Sequence, residues 1–108
     1  MATIKKKVAV NAEQEVANKS ILQKAHEIIH GDREQTYGDP SKNLNQIAKF
    51  WSVHLSGTTG EEIHLTPADV CEMMILLKVA RLGNTPNHID SLVDIAGYAA
   101  LQERTADK

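Results

Sequence analysis

With 108 residues, 42% of them hydrophobic and 24% charged, the chain has the length and composition of a single globular domain. Its formal net charge is −2, without the basic surplus of a nucleic-acid binder, and this argues against nucleic acid as a partner. Aromatic residues make up only 4%, so the core must be built from aliphatic side chains, a composition that favours helices over sheets.

The single cysteine, Cys71, cannot form an intrachain disulfide and is typical of a reducing compartment. No run of residues approaches the roughly 20 apolar residues that a membrane-spanning helix needs. The apolar residues that follow the N-terminal lysines are too few for a signal peptide. We therefore expect a cytoplasmic protein with no membrane partner.

Hydrophobic periodicity predicts four helices and no strand. The first helix spans about residues 13–30, and Gly31 occupies the position where a glycine commonly ends a helix in the left-handed conformation. Residues 1–12 show no helical period. The sequence therefore predicts a flexible N-terminal arm over residues 1–12, followed by one helical domain over residues 13–108.

The second helix is predicted over about residues 40–56. Asp39 is placed to cap its first amides, and Pro40 suits the first helical position because its missing N–H would have no partner there. Gly57 and Gly60 are expected to end this helix.

The third helix is predicted over about residues 67–82, with Thr66 as its cap, Asp69 three residues later and Gly83 at its end. It is apolar nearly all the way round, which predicts burial on most sides. If three other helices do not cover it, a second subunit must, so we expect a homo-oligomer.

A fourth helix is predicted to start at a cap formed by Asn87 with Asp90 and to fray near Arg104. Four helices with short connections predict an all-α fold, an up-and-down bundle or a close relative.

A short pattern in the first predicted helix, from His26 to His30, matches the HExxH motif of zinc proteases. Five histidines in a short chain make chance matches easy, and no third ligand is apparent. We therefore interpret His26 and His30 as solvent-facing or capping residues.

The connection from Gly31 to Pro40 carries Arg33 and Tyr37 among turn-forming residues. An arginine can clamp a phosphate and a tyrosine can stack on a base, so this segment is a candidate nucleotide-binding loop. An ordinary interhelix loop is the alternative.

The third and fourth predicted helices carry charges that could meet. Lys78 and Arg81 lie three residues apart, whereas Asp90 and Asp94 lie one helical turn apart. In one interpretation these cations and carboxylates form structural ion pairs. In the other, the carboxylates hold Mg²⁺ while the cations and Arg33 hold phosphates.

A spaced string of residues runs through much of the chain: His30-Gly31-Asp32-Arg33, Tyr37-Gly38-x-Pro40, Asn43, Trp51, Lys78-x-Ala80-Arg81 and Asp90-x-Leu92-Val93-Asp94-x-Ala96-Gly97-Tyr98. With this string, the chain resembles a family of small proteins from tailed phages and prophages that has no established function. The likeness covers about residues 20–104 and implies a protein of the host cytoplasm.

A weaker resemblance is to the all-α nucleotide pyrophosphohydrolases of the MazG type, which bind Mg²⁺ through paired acids on two helices. The segments 69–72 and 90–94 are the nearest equivalents, although the first begins with Asp and the second has one residue too many between its acids. The resemblance implies metal-assisted hydrolysis of a nucleoside triphosphate. Under this hypothesis the catalytic carboxylates are Asp90, Asp94 and Glu72, and the metal ligands are these three and Asp69. Residue type and spacing add the candidate ligand-binding residues Arg33, Tyr37, Trp51, Lys78, Arg81 and Tyr98.

Three hypotheses for function therefore stay open. The chain is a Mg²⁺-dependent nucleotide pyrophosphohydrolase, a nucleotide binder without catalysis, or a helical module that binds a host or phage protein. Hydrolysis of a nucleotide would indicate the first, and binding of a nucleotide without hydrolysis would indicate the second. A chain whose melting temperature no nucleotide changes would indicate the third.

Overall fold

The computed structural model describes residues 19–30 and 39–105, which form four α-helices and no strand. These are α1 (Ile21–His30), α2 (Pro40–Thr59), α3 (Pro67–Asn84) and α4 (Ile89–Thr105). Helix α4 lies at the centre, because it packs along α3 and α1 and also contacts α2, while α2 packs on α3. The prediction of an all-α bundle is confirmed. The predicted N-terminal arm, Gly31 and the loop up to residue 38 lie outside the described residues.

Helix α1 begins later than the periodicity indicated. The Ser20 N–H donates to Gln23 Oε1 at 2.9 Å, and the Gln23 N–H donates to Ser20 Oγ at 3.1 Å. This reciprocal pair is a capping box, which satisfies amides that have no partner within the helix. The prediction of a helix continuous through residues 13–30 is therefore wrong at Lys19 and Ser20, because the serine hydroxyl competes for the backbone amides there.

The predicted starts of α2 and α3 are confirmed. The Ser41 N–H donates to the carboxylate of Asp39 at 3.0 Å, with Pro40 at the first position of α2. At the start of α3, the Asp69 N–H donates to Thr66 Oγ1 at 3.1 Å and the Thr66 N–H donates to Asp69 Oδ2 at 2.9 Å. Each of these caps contributes about 1 kcal/mol to stability.

The predicted end of α2 is confirmed at Gly60, whereas the predicted helix ends at Gly57 and Gly83 are wrong. Helix α2 continues through Gly57 to Thr59 and ends at Gly60, whose φ of 74° lies in the left-handed region. Helix α3 continues through Gly83 to Asn84. An interior glycine costs a helix only about 1 kcal/mol relative to alanine, so it ends a helix only where the backbone needs a positive φ.

These glycines allow a paired test. Replacing Gly57 by alanine is expected to raise the free energy of unfolding by about 0.5–1 kcal/mol, because no atom lies within 4 Å of the added Cβ and the unfolded chain loses freedom. Replacing Gly60 by alanine is expected to lower it by about 1 kcal/mol, because an L side chain is strained at positive φ. Urea denaturation of both variants measures the difference, and equal effects would contradict the assignment of the helix end.

The start of α4 also differs from the prediction. Asn87 has a φ of 63° and turns the chain, while the cap is the next residue, His88. The Leu92 N–H donates to the His88 carbonyl at 3.1 Å, and the Ser91 N–H donates to His88 Nδ1 at 3.3 Å. Asparagine is common both as a helix cap and at turn positions with positive φ. Here Asn87 occupies the turn position, and His88 therefore occupies the cap position.

Helix α3 is covered on one side only. Val70 and Cys71 are fully buried, whereas Leu76 keeps 66% of its surface exposed. The prediction that α3 is buried on most sides is therefore wrong for the single chain, because α2 and α4 pack on α3 but leave Leu76, Leu77 and Val79 exposed. The buried apolar residues of the described chain are Ala25, Ile29, Leu44, Ala48, Val70, Cys71 and Val93. In the part of the chain that the structure describes, no helix is long and apolar enough to cross a membrane.

Candidate functional site

A cavity of about 500 Å³ lies between the four helices. Its wall is mostly aliphatic, and its polar or aromatic positions are few. The lining residues are Ala25, Ile28, Ile29, Pro40, Asn43, Leu44, Ile47, Trp51, Val70, Met74, Lys78, Val93, Asp94, Gly97, Tyr98 and Leu101. A concave, largely apolar site with a few polar groups is typical of small-molecule binding sites.

An ion pair between α3 and α4 provides the charged part of this wall. Lys78 Nζ lies 3.0 Å from Asp94 Oδ2, and the two side chains are only 14% and 30% exposed. Helical spacing left open whether Asp90 or Asp94 meets Lys78 or Arg81, and whether these residues form ion pairs or hold Mg²⁺. The structure shows an ion pair between Lys78 and Asp94. Because the pair is partly withdrawn from water, each charge depends on the other or on a ligand for compensation.

Two aromatic side chains border the same cavity. Trp51 of α2 and Tyr98 of α4 are half-buried and pack against the core cluster around Leu44 and Val70. Packing on the core restricts the orientation of both rings, which leaves less freedom to lose when a ligand binds. Asn43, one helical turn from Ile47 on α2, adds an amide that can both donate and accept hydrogen bonds.

The other predicted site residues of α3 and α4 do not line the cavity: Asp69, Glu72, Asp90 and Arg81. Asp69 is engaged in the cap of α3, and Glu72 Oε1 accepts a hydrogen bond from Gln102 Nε2 at 3.0 Å. Arg81 and Asp90 are exposed. Across residues 19–30 and 39–105, no three His, Cys, Asp or Glu side chains come together to hold a metal ion. The magnesium site stays a prediction, and Arg33 and Tyr37 lie outside the described residues.

A second cavity of about 490 Å³ lies between α1 and α4. His26 and His30 border it, with ring centroids 4.5 Å apart, and both side chains are exposed as predicted. Arg104 also borders it and donates a hydrogen bond to the Ile29 carbonyl at 3.4 Å. The contacts of this cavity hold α1 against α4.

Sequence reasoning missed the part that Asn43 takes in the central cavity. Asn43 belongs to the spaced string, but an amide on a helix surface gives no signal of its own chemistry. The information that places it is three-dimensional: α2 begins at Pro40 and turns Asn43 towards the cavity together with Leu44 and Ile47. The nearest signal in the sequence is that Asn43, on a helical wheel, lies beside the apolar stripe of α2.

Cys71 is buried beside the cavity wall and is chemically unsuited to act as a nucleophile. Burial raises the pKa of its thiol above the ordinary value, and the neighbouring carboxylate of Glu72 raises it further. The thiolate, which is the reactive form, is therefore disfavoured in the folded protein.

The native protein is expected to react with iodoacetamide at least about tenfold more slowly than the urea-unfolded chain, because the thiol must first be exposed. The raised pKa also stabilises the fold below the ordinary thiol pKa, and this contribution is lost as the pH rises through the higher folded value. Labelling time courses read by mass spectrometry test the first expectation. Equal rates in native and unfolded protein would contradict the burial.

Comparison with known proteins gives a consistent picture. The family described as a domain of unknown function, DUF6378, matches residues 20–106. The Gene 55 protein of Mycobacterium phage L5 is 47% identical over 85 residues, which cover 79% of this chain and 51% of the relative. The Gene 55 protein of Mycobacterium phage D29 is 41% identical over 87 residues, which cover 81% of this chain and 54% of the relative.

The chain thus spans about half the length of the curated relatives it matches. No solved structure matches it significantly. The likeness to MazG-type enzymes stays a prediction, whereas the likeness to a phage protein family is confirmed. The chain belongs to the DUF6378 family, a family of phage proteins whose function is unknown.

Proposed function

We propose that the central cavity binds a nucleotide or a closely related phosphorylated aromatic molecule. One observation carries this proposal: three helices bring Trp51, Lys78, Asp94 and Tyr98 to the wall of one cavity. Aromatic rings supply stacking surfaces for a base, and the ammonium group supplies a contact for a phosphate.

The size and polarity of the cavity fit such a ligand. Its volume of about 500 Å³ lies within the range of sites that enclose small molecules. The aliphatic wall contributed by Ile28, Ile47 and Met74 favours a flat apolar group over a free polyphosphate. The base and sugar are therefore assigned to the interior, and the phosphates to the side where Lys78 lies.

The ion pair sets the strength of the phosphate contact. Lys78 already has a carboxylate partner at 3.0 Å, so a phosphate has to share or replace Asp94. This exchange keeps a negative group beside the ammonium, which lowers the cost of opening the pair. We expect moderate affinity that weakens as the salt concentration rises.

Binding without hydrolysis is the form of the proposal that the described contacts support best. Of the predicted catalytic acids, Asp94 faces Lys78 and Glu72 accepts from Gln102. Asp69, predicted as a metal ligand, is held in the cap of α3. These oxygens have partners that a metal site would need to displace.

Fluorescence of Trp51 tests the proposal, since it is the sole tryptophan of the chain and borders the cavity. We expect saturable quenching, corrected for nucleotide absorbance, by at least one member of an NTP and dNTP panel. Lys78→Gln is expected to weaken binding about tenfold, which corresponds to the loss of one charged hydrogen bond, while the exposed Lys49→Gln leaves it unchanged. The proposal would be contradicted if no nucleotide of the panel gave saturable quenching. It would also be contradicted if Lys78→Gln and Lys49→Gln lost the same binding affinity.

Chromatography of the same mixtures with and without Mg²⁺ separates binding from turnover. Intact nucleotide throughout supports a binder. Mg²⁺-dependent release of a monophosphate supports a hydrolase, and its loss in folded Asp94→Asn would then assign that carboxylate to the reaction. An unchanged rate in Asp94→Asn would remove Asp94 from the reaction.

A further inference from the structure

The outer face of α3 reverses the usual arrangement of an amphipathic helix. Between Met73 and Ala80 the only charged residue is Lys78, and it points inward to Asp94. Leu76, at 66% exposure, and Leu77 point outward instead. A monomeric protein seldom exposes a contiguous apolar face while it withdraws an ion pair from water, and such a face marks an interaction surface.

The residues along this face have a pattern of their own. Met73, Leu76, Ala80 and Gly83 are spaced by three, four and three residues, so they lie along one side of α3 over about 15 Å. We call these four residues the α3 seam. All four are exposed, and no atom lies within 4 Å of a Cβ built on Gly83. The seam is bulky in its first half and small in its second half.

We propose that the α3 seam packs against the same seam of a second copy of this chain, with the two helices antiparallel about a two-fold axis. This orientation sets Met73 against Gly83 of the second copy and Leu76 against Ala80 of the second copy. Every bulky side chain then meets a small one, as close packing requires. A parallel pair would instead set bulky residues against bulky ones and leave a gap at Gly83.

The charges at the two ends of α3 favour the same orientation. Asp69 and Glu72 lie near the start of α3, and the exposed Arg81 lies near its end. In an antiparallel pair the acidic end of each helix lies beside the basic end of the other, and the helix dipoles are also opposed. A parallel pair would bring like charges together. An isologous dimer of this kind closes on itself, because both copies use the same surface.

The oligomeric state tests the proposal directly. Light scattering after size exclusion is expected to give twice the chain mass of 11.9 kDa at micromolar concentrations. Gly83→Leu is expected to give a folded monomer, because the new side chain fills the space that Met73 of the second copy requires. Gly57→Leu is the matched control, since Gly57 is also helical and a Cβ built on it would meet open space, and this variant is expected to stay dimeric.

A size-swap variant tests the orientation. Met73→Ala combined with Gly83→Leu exchanges the bulky and small ends of the α3 seam, so an antiparallel dimer is expected to re-form. A monomeric wild type, a dimeric Gly83→Leu, a monomeric Gly57→Leu or a size-swap variant that stays monomeric would each overturn the proposal. Circular dichroism of every variant establishes that helix content is retained.

Discussion

Replacing Leu44 by alanine is expected to lower the free energy of unfolding by about 2–5 kcal/mol. Leu44 is only 4% exposed and belongs to the core cluster where α2 meets α3. The substitution removes buried methyl groups and leaves a hole that packed helices fill only in part. Because Leu44 also lines the central cavity, the hole enlarges the candidate binding site.

Urea denaturation followed by circular dichroism measures this change. Leu22→Ala on α1 is the matched control, because Leu22 is 75% exposed and its truncation is expected to cost less than about 0.5 kcal/mol. Similar effects of the two variants would contradict the position of the core between α2 and α3.

Replacing Asp94 by asparagine is expected to lower the free energy of unfolding by about 1–3 kcal/mol. The change leaves Lys78 with 14% of its side chain exposed and without its carboxylate partner. The cost lies between the values for surface pairs and fully buried pairs, because the ion pair is only partly withdrawn from water. A nucleotide phosphate that takes the place of the carboxylate would recover part of the loss, so the ligand is expected to stabilise this variant more than the wild type.

Glu103→Gln on the same helix is the control for Asp94→Asn. Glu103 is exposed near the end of α4, so its neutralisation is expected to change stability by less than about 0.5 kcal/mol. Thermal or urea unfolding with and without nucleotide measures both effects. An Asp94→Asn variant as stable as the wild type would show that Lys78 does not depend on this partner.

The parts of the fold that local chemistry determines could be predicted from the sequence. Asp39-Pro40 and Thr66-Pro67 start helices because a short polar side chain accepts from free amides while proline fits the first helical position. Apolar periodicity predicted the four helices of the described chain and the all-α fold, because each helix must bury one apolar stripe.

The remaining features depend on competition between similar local signals. Glycine at 57 and glycine at 60 look alike in the sequence, and only the second takes a left-handed φ. Asn87 and His88 are neighbouring candidates for one cap, and the turn before α4 decides between them. Helix α3 is apolar on all sides, so its periodicity does not tell which side the other helices cover.

The candidate site shows the same division. Helical spacing predicted that Asp90 or Asp94 could meet Lys78 or Arg81, but only the packing of α3 on α4 selects the pair Lys78–Asp94. That Trp51 and Tyr98 join them at one cavity depends on how α2 packs against α4, which no local pattern encodes. Asp69 was predicted as a metal ligand, but its position three residues after Thr66 gives it a capping role in the structure.

The central claim is that a nucleotide binds in the cavity between the four helices. Chemical-shift mapping of backbone amides and of the Trp51 indole during nucleotide titration tests it most directly. We predict saturable shifts concentrated at Asn43, Trp51, Lys78, Asp94 and Tyr98, around the central cavity. Shifts centred on His26 and His30 at the second cavity, or no shifts with any nucleotide of the panel, would contradict the claim.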